Sequence, residues 1–443
     1  MYSSFFGLET ARRALFAQRA AIDITGHNLA NASTPGYRRQ RALLVATPPA
    51  AGGLAPGTGV TVASIERMRD QFVDTQIRNT LASLGRWEAR NGVLEEMQEV
   101  FKEPSDIGLS AMMDRFWISW HELSGAARDP GRRTSIQQEG ASLASAFNLA
   151  STQLKEMSDD IQRNIGAMVG RVNATAANIA SINREIIRGQ VVGENVSDLL
   201  DRRDLLVEEL ASDVDVTAVE ESNGAVNVTV GGRMLVAGPE SREISLETPI
   251  TGGRVKGLLE AANQVIPSYL RQIDDLADGV IAAVNQIHRS GFDIEGNPGG
   301  DFFEGHGAGG IRVAQAIVND SGKIAAADAA GSPGNGKNAL KIAQLKDVLT
   351  MNGGIASFRD FYGGMITGLG LDTQESIRSS DVYAGVLDQQ HMRREAVSGV
   401  SPDEELLELI KHQAAYDAAS RLVNVMDEML DRLINGTGLV GRR

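Results

Sequence analysis

Leu8, Leu15, Ile22 and Leu29 recur every seven positions near the start of the chain, with Ala11, Ala14 and Ala21 between them. That spacing draws one narrow apolar seam along a helix, and so thin a stripe needs a partner to be buried. The matching pattern lies at the far end: Leu409, Tyr416, Val423 and Leu430 repeat every seven, and Ala419, Met426 and Leu433 fill the second seam position. The pattern predicts one coiled-coil strand at each end of the chain, with everything between them leaving and returning. Gln18, Thr25 and His412 interrupt the seams with polar side chains, which weakens them.

The ends of the two helices are marked by their punctuation. Thr34-Pro35-Gly36 stops the first, because proline disfavours helical backbone at Thr34 and Gly36 supplies a turn. Ser401-Pro402-Asp403-Glu404 starts the last: Ser401 caps, Pro402 suits the first helical position and Glu404 completes a capping box. Asn435-Gly436 ends it. A helix over 404–434 is about 45 Å long at the standard rise per residue.

Between the ends the period is mostly helical. Residues 47–60 read as a Pro/Gly/Ala linker and 61–65 as a short strand; helices follow over 69–101 and 109–123, the latter holding Phe116, Trp117 and Trp120 as core side chains. Residues 132–189 carry no proline, and Leu143, Phe147, Leu154, Ile161, Ile165, Val169, Val172, Ile179 and Ile186 lie on one face of the longest helix. A shorter helix over 196–211 leads to 213–236, where alternation around Ser222-Asn223-Gly224 predicts a β-hairpin. Helical spacing resumes over 256–288, a short strand is expected over 311–318 and a helix over 339–349. Residues 357–397 read as helix interrupted at Gly363-Gly364 and at 368–370. The predicted fold is therefore mainly α and elongated. A terminal coiled-coil domain takes 1–60 and 399–443, and a helical-bundle rod domain with a small β-hairpin takes 61–398.

Composition narrows the function classes. A net charge of −14 argues against nucleic acid, whose phosphates require a basic surface. The ends run against that average: residues 1–47 are net positive and 403–443 net negative, which favours their pairing. With no cysteine there is no disulfide, thiolate metal site or thiol chemistry. Residues 1–25 lack the apolar run of a cleaved signal peptide, and no stretch reaches the length of a membrane span.

Three motifs invite chemistry, and each is broken. Asp293, Glu295, Asn297, Asp301 and Glu304 follow a calcium-loop template, but Pro298 stands where that loop needs glycine. Residues 305–310 match a dinucleotide fingerprint in letters, yet precede a strand where the fingerprint must open a helix. Residues 331–338 have phosphate-loop spacing, but Asn338 replaces the magnesium-binding hydroxyl, and capping the next helix is its expected role. The six histidines are scattered, and no catalytic, cofactor or metal residue is predicted. Acids and arginines alternate through 198–204 as on a salt-bridged helix face.

Two stretches carry a family resemblance. The run from Thr25 through Asn28, Leu29, Asn31, Thr34, Pro35 and Gly36 to Tyr37 resembles the N-terminal signature of bacterial flagellar rod, hook and hook-associated proteins. Ser398-Gly399-Val400, Asp403-Glu404-Glu405, Gln413 to Tyr416 and Met426 to Leu430 resemble the C-terminal one. Between them Gly59-Val60, Arg67, Arg69-Asp70, Trp120, Asp129-Pro130, Arg133, the 198–204 run, Gly291-Phe292-Asp293 and Asp301-Phe302-Phe303 resemble the hook-associated protein 1 family. That family commonly carries an outer β-rich domain where this chain has only residues 304–318, so the resemblance implies a slender member with the outer domain largely absent.

The resemblance also implies a role. A ring of copies would form the hook–filament junction, touching the hook protein, the second junction protein and, during assembly, the filament cap. The chain would be secreted by type III export without a cleaved signal, handled by the export apparatus and a chaperone at its C-terminal helix. It would end outside the cell without membrane insertion. The assembly interface is expected on Leu8, Leu15, Ile22, Asn28, Leu29, Asn31, Thr34, Pro35, Gly36, Tyr37, Leu409, Gln413, Tyr416, Val423, Met426, Leu430 and Leu433. The alternatives are a hook or distal-rod subunit and, from another class, a secreted nucleotide-binding protein or enzyme built on residues 331–338.

Overall fold

The computed structural model describes residues 5–48 and 57–436. Along the chain run α1 (Phe5–Ala30), β1 (Gln40–Ala46), β2 (Val60–Arg67), α2 (Gln71–Phe101), α3 (Leu109–Gly125), α4 (Pro130–Val192) and α5 (Ser197–Asp213). Then come β3 (Val216–Glu220), β4 (Val226–Val230), β5 (Arg233–Ala237), β6 (Glu240–Ser241) and α6 (Gly253–Glu260). A π-turn over Ala261–Val265 opens into α7 (Ile266–Arg289), followed by β7 (Phe303–Glu304), β8 (Arg312–Val313), α8 (Gln315–Asn319), α9 (Lys337–Gln344), α10 (Phe358–Ser398) and α11 (Pro402–Gly436). The fold is mainly helical, as the periodicity predicts.

Four local expectations need correction. Helix α1 ends at Ala30, ahead of Thr34-Pro35-Gly36, because the Asn31 side chain turns back to His27 O (3.0 Å) and its oxygen accepts from Thr34 Oγ1 (3.1 Å). Residues 40–46 form a strand that the sequence reading missed; it pairs antiparallel with β2 across a stretch whose central residues, 49–56 of the expected linker, lie outside the described residues. In place of a strand over 311–318 there is only the two-residue β8, paired with β7, and then α8. Helix α10 runs unbroken through its glycines. Each glycine costs about 1 kcal/mol against alanine, but Phe358, Tyr362, Met365 and Leu369 are all buried on one face and carry the helix through.

The chain divides into two compact units. The first holds Met1–Ala82, Arg171–Pro249 and Tyr383–Arg443; the second holds Ser83–Gly170 and Ile250–Val382. The expected division at 60/61 and 398/399 is thus not where contacts thin: 61–82, 171–249 and 383–398 go with the terminal segments. In the first unit the expected hairpin is extended by two further strands into a four-stranded antiparallel meander, β3-β4-β5-β6. Asn183 of α4 pins it, giving its amide to Val226 O (2.9 Å) and Gly238 O (2.7 Å) and accepting from Val226 N (3.1 Å).

The second unit is built on an aromatic cluster. Phe116 of α3 meets Phe302 and Phe303, Trp120 meets Phe302, and Trp117 packs on Phe116 and stacks on Phe358 at 5.8 Å. Asn285 of α7 holds the Phe-Phe turn, accepting from both Phe302 N (2.8 Å) and Phe303 N (2.9 Å). The turn beyond is tied down by Gly307 N to Asp278 (2.7 Å), Ala308 N to Asp274 (2.7 Å) and Asn148 to Ala308 O (2.8 Å). This closed hairpin occupies the place where the outer domain was expected to be absent.

His288 sits at the bottom of that cluster with no exposed surface. Its Nε2 accepts from Ala325 N (2.9 Å), so Nδ1 carries the proton and donates to Gly300 O (2.7 Å). Burial lowers its pKa from 6.5 to about 4. The unfolded chain therefore takes up a proton first as pH falls, and the stability supplied by the neutral imidazole, complete above pH 6.5, is lost between about 6.5 and 4. The loss amounts to about 3 kcal/mol. Urea midpoints followed by tryptophan fluorescence should fall from pH 7 to pH 5, and His288→Gln should flatten the dependence.

Candidate functional site

The terminal helices α1 and α11 pack on one another within the first unit, antiparallel. Near their free ends Met426 covers Gly7, so closely that a Cβ at position 7 would meet its Cε at 2.6 Å. Midway, Gln18 Oε1 and His412 Nδ1 are 2.7 Å apart. At the base Asn28 Nδ2 donates to Glu405 Oε2 (2.9 Å). The N-terminal end of α1 and the C-terminal end of α11 thus lie at the same end of the pair.

The side chains at the centre of the seam are small. Ala11, Ala17, Ala21, Thr25 and Asn28 of α1 are buried, whereas Leu8, Leu15, Ile22 and Leu29 are only half-buried, one step round the helix on the flank. On α11 Glu405 and Ala419 are buried, with Leu409, His412, Val423, Met426 and Leu430 half-buried. Gln413, Tyr416 and Leu433 are exposed. The heptad reading found the right helices and placed the leucines one position off the line of contact, since alanine lets the backbones approach closer than leucine allows.

At the base of the pair Asn28 uses its whole amide. It donates to Gln40 O (2.8 Å) and Glu405, and accepts from Gln40 N (3.0 Å) and Tyr37 Oη (2.8 Å). One buried side chain therefore joins the end of α1, the start of β1 and the first turn of α11. Arg39 adds Glu404 at 2.9 Å and lies 2.6 Å from Glu405 Oε1, an ion pair not aligned as a hydrogen bond. Glu404 reaches outward to Arg39, so the expected capping box is half made, with Ser401 Oγ accepting from Glu404 N at 3.5 Å. Burial and the nearby carboxylates of Asp198, Asp201 and Glu405 raise the Tyr37 phenol above its ordinary pKa, so it remains a donor. Thr34, Pro35 and Gly36 form an exposed turn; Gly36, at φ 77°, lies against Leu205, where a side chain would be both strained and crowded.

Beside this knot lies a buried ionic network, in which the salt-bridged face expected over 198–204 finds most of its partners on other elements. Arg38 pairs with Asp74 (2.7 Å), Arg67 with Asp201 (2.6 Å) and Asp204 (3.2 Å), Arg69 with Glu220 (2.8 Å), and Arg394 with Glu208 (2.6 Å). Burial alone would raise the pKa of Asp204, but Arg203, Arg67, Arg38 and Arg69 outweigh it and hold the group at about 2. The network fastens the segment after α1, the end of β2, α2, α5, β3 and α10 together. No spacing rule finds it, because its members are far apart in sequence.

The outer side of α11 is a second finding. Leu433 continues the line of Ala419 and Met426 that faces α1, whereas Leu407, Ile410, Leu422, Val425 and Met429 are exposed by between 43% and 61%. With Ala414 and Ala418 they recur at steps of three and four, an apolar stripe that starts opposite the α1-facing side and winds alongside it, and that α1 leaves uncovered. On the outer face of α1 Phe16 is 61% exposed, with the Arg12 guanidinium 5.5 Å over its ring.

The chemical motifs resolve into structure. Asp293 and Glu295 are met by Lys323 Nζ, at 3.3 and 2.9 Å, which supplies the positive charge of the would-be calcium loop. No group of metal-binding side chains occurs among the described residues. Asn338 does not cap its helix as expected: it is buried and donates to Ile287 O (3.1 Å) and Ala325 O (2.8 Å), while Asn335 accepts from Lys337 N (2.9 Å) at the helix start. No described helix is long and apolar enough to cross a membrane.

Three family models match successive parts of the chain. Residues 94–249 and 244–303 match the helical domain of flagellar hook-associated protein FlgK, residues 8–38 match flagella basal body rod proteins, and residues 395–436 match the C-terminal region of the basal body rod proteins FlgEFG. Flagellar hook-associated protein 1 of Bacillus subtilis strain 168 is 33% identical, with 100% of both chains covered. The protein of that name in Escherichia coli K12 is 24% identical, covering 97% of this chain and 99% of its own. The first alignment runs over 507 positions, 64 more than the 443 residues here, so the relative carries residues this chain lacks. A solved structure of the flagellar hook junction protein FlgK from Burkholderia pseudomallei superposes with a TM-score of 0.66, over 73% of this chain and 100% of that one, at 15% identity.

Proposed function

Because the chain belongs to the flagellar hook-associated protein 1 family and is a structural component of the hook–filament junction of the bacterial flagellum, we propose that its terminal helix pair builds that junction. Copies assemble into a ring in which the outer stripe of α11 is covered by neighbouring copies. The observation that carries the reading is that stripe: a 35-residue helix with an apolar line along each of two faces, only one of which α1 covers. Ring closure follows when unlike faces of identical subunits meet repeatedly around an axis.

In this reading the ring sits on the hook protein and receives the second junction protein, on which the filament grows under its cap. The subunit reaches the cell exterior through the flagellar type III export apparatus, its C-terminal helix shielded by a chaperone until then. The interface comprises the signature residues together with the stripe. The hook and distal-rod readings rest on the terminal matches, which those proteins share; the helical-domain match across 94–303 favours the junction. Deleting the gene in the native bacterium is the test. Hooks are expected to remain while filaments disappear and flagellin is shed into the medium; a strain that keeps its filaments, or loses its hooks, refutes the assignment.

A further inference from the structure

We infer that the terminal helix pair carries its own register key, written in four unlike layers. Gly7, Ala14, Ala21 and Asn28 are spaced by seven on α1, and Glu405, His412, Ala419 and Met426 are spaced by seven on α11. The contacts of Gly7 with Met426 and of Asn28 with Glu405 fix one antiparallel register. That register sets Ala14 against Ala419 and Ala21 against His412; Ala21 and His412 line the same crevice, and His412 is held by Gln18 at 2.7 Å. Along the pair the layers run from glycine against methionine, through alanine against alanine and alanine against histidine, to asparagine against glutamate.

The leucine repeat cannot supply this information. Leu8, Leu15, Ile22 and Leu29 exchange places with one another under a slip of one heptad, so flank packing alone accepts the slipped pairs nearly as well. The layers do not. Slipping one way drives Met426 onto Ala14 and His412 onto Asn28. Slipping the other way puts the Glu405 carboxylate, 2% exposed, against the Ala21 methyl, beyond reach of Asn28 and Arg39. Polar residues in an apolar seam give up stability for a unique alignment. On the assembly reading above, identical helices lie side by side in many copies, and slipped or exchanged pairs are the competing products the key excludes.

The chain has no cysteine, so introduced thiols report alone. In the full-length free protein, Ala14→Cys/Ala419→Cys should form a disulfide within one chain. Ala14→Cys/Met426→Cys, one heptad out of register, should yield at least ~10-fold less. Adding Asn28→Leu/Glu405→Leu to each pair should bring the slipped yield to within about threefold of the native one. Circular dichroism checks that helix content is kept. Should that background lose its helices, Gln18→Leu/His412→Leu, which leaves the base of the pair intact, decides the matter: a slipped yield raised several-fold supports the key. Slipped cross-linking already equal to native in the parent, or unchanged in every folded apolar background, overturns it. Because the free chain is measured, the outcome is independent of whether the copies form a ring.

Discussion

A Leu422→Asp/Val425→Asp chain is expected to fold normally and to support almost no filaments. In the single subunit the two side chains are 43% and 45% exposed on the outer face of α11, so charging them should cost the monomer less than about 1 kcal/mol. In a ring where the stripe is covered, each carboxylate must be buried without a partner, at about 2 kcal/mol or more apiece per copy. Every 1.4 kcal/mol is tenfold in affinity, so filament number should fall well over tenfold. Filament counts by electron microscopy, beside circular dichroism of the purified variant, separate the two effects. Filaments at parental number with this variant in place would mean that the stripe faces solvent in the assembled state.

Arg38→Met should be the most destabilising single change in the first unit. The Arg38 side chain is 5% exposed and Asp74, its partner at 2.7 Å, is 2% exposed. Removing the guanidinium leaves Asp74 buried with Arg69 at 3.5 Å and Arg78 as the remaining cations near it, and its Oδ1 already has no protein partner. Breaking one side of such a pair costs about 3 to 5 kcal/mol. Replacing both sides with apolar groups should cost far less, so Arg38→Met/Asp74→Leu should recover most of the loss. Urea unfolding of the parent, both single variants and the double variant closes the cycle; a double variant no better than Arg38→Met would show that the pair is not the source of the effect.

Much of this architecture is written in local pattern. The long helices announce themselves by apolar spacing, the β3–β4 turn by Asn223-Gly224, and the start of α11 by Ser401-Pro402. Where the reading failed, tertiary contact overrode a local signal. Asn31 turns the chain before Pro35 has the chance, and one buried face carries α10 through glycines that should interrupt it. The leucine heptads pointed to the correct pair of helices, but which residue lies at the centre of a seam depends on how closely two backbones approach, and only the facing alanines settle that. The Asp198 to Asp204 run shows the limit most plainly: its partners Arg38, Arg67 and Arg69 lie more than a hundred residues away. The outer stripe of α11 is a second repeat at steps of three and four, laid over the heptad on the same helix, so one sequence pattern hides the other.

The claim on which the account rests is that α11 has one face for its own α1 and another for its neighbours. A single thiol at Val425→Cys measures this directly, through its rate of reaction with a maleimide in the free subunit and in purified hook–filament junctions. The account predicts rapid labelling of the free chain and strong protection in the junction. Equal labelling in the two states would contradict it.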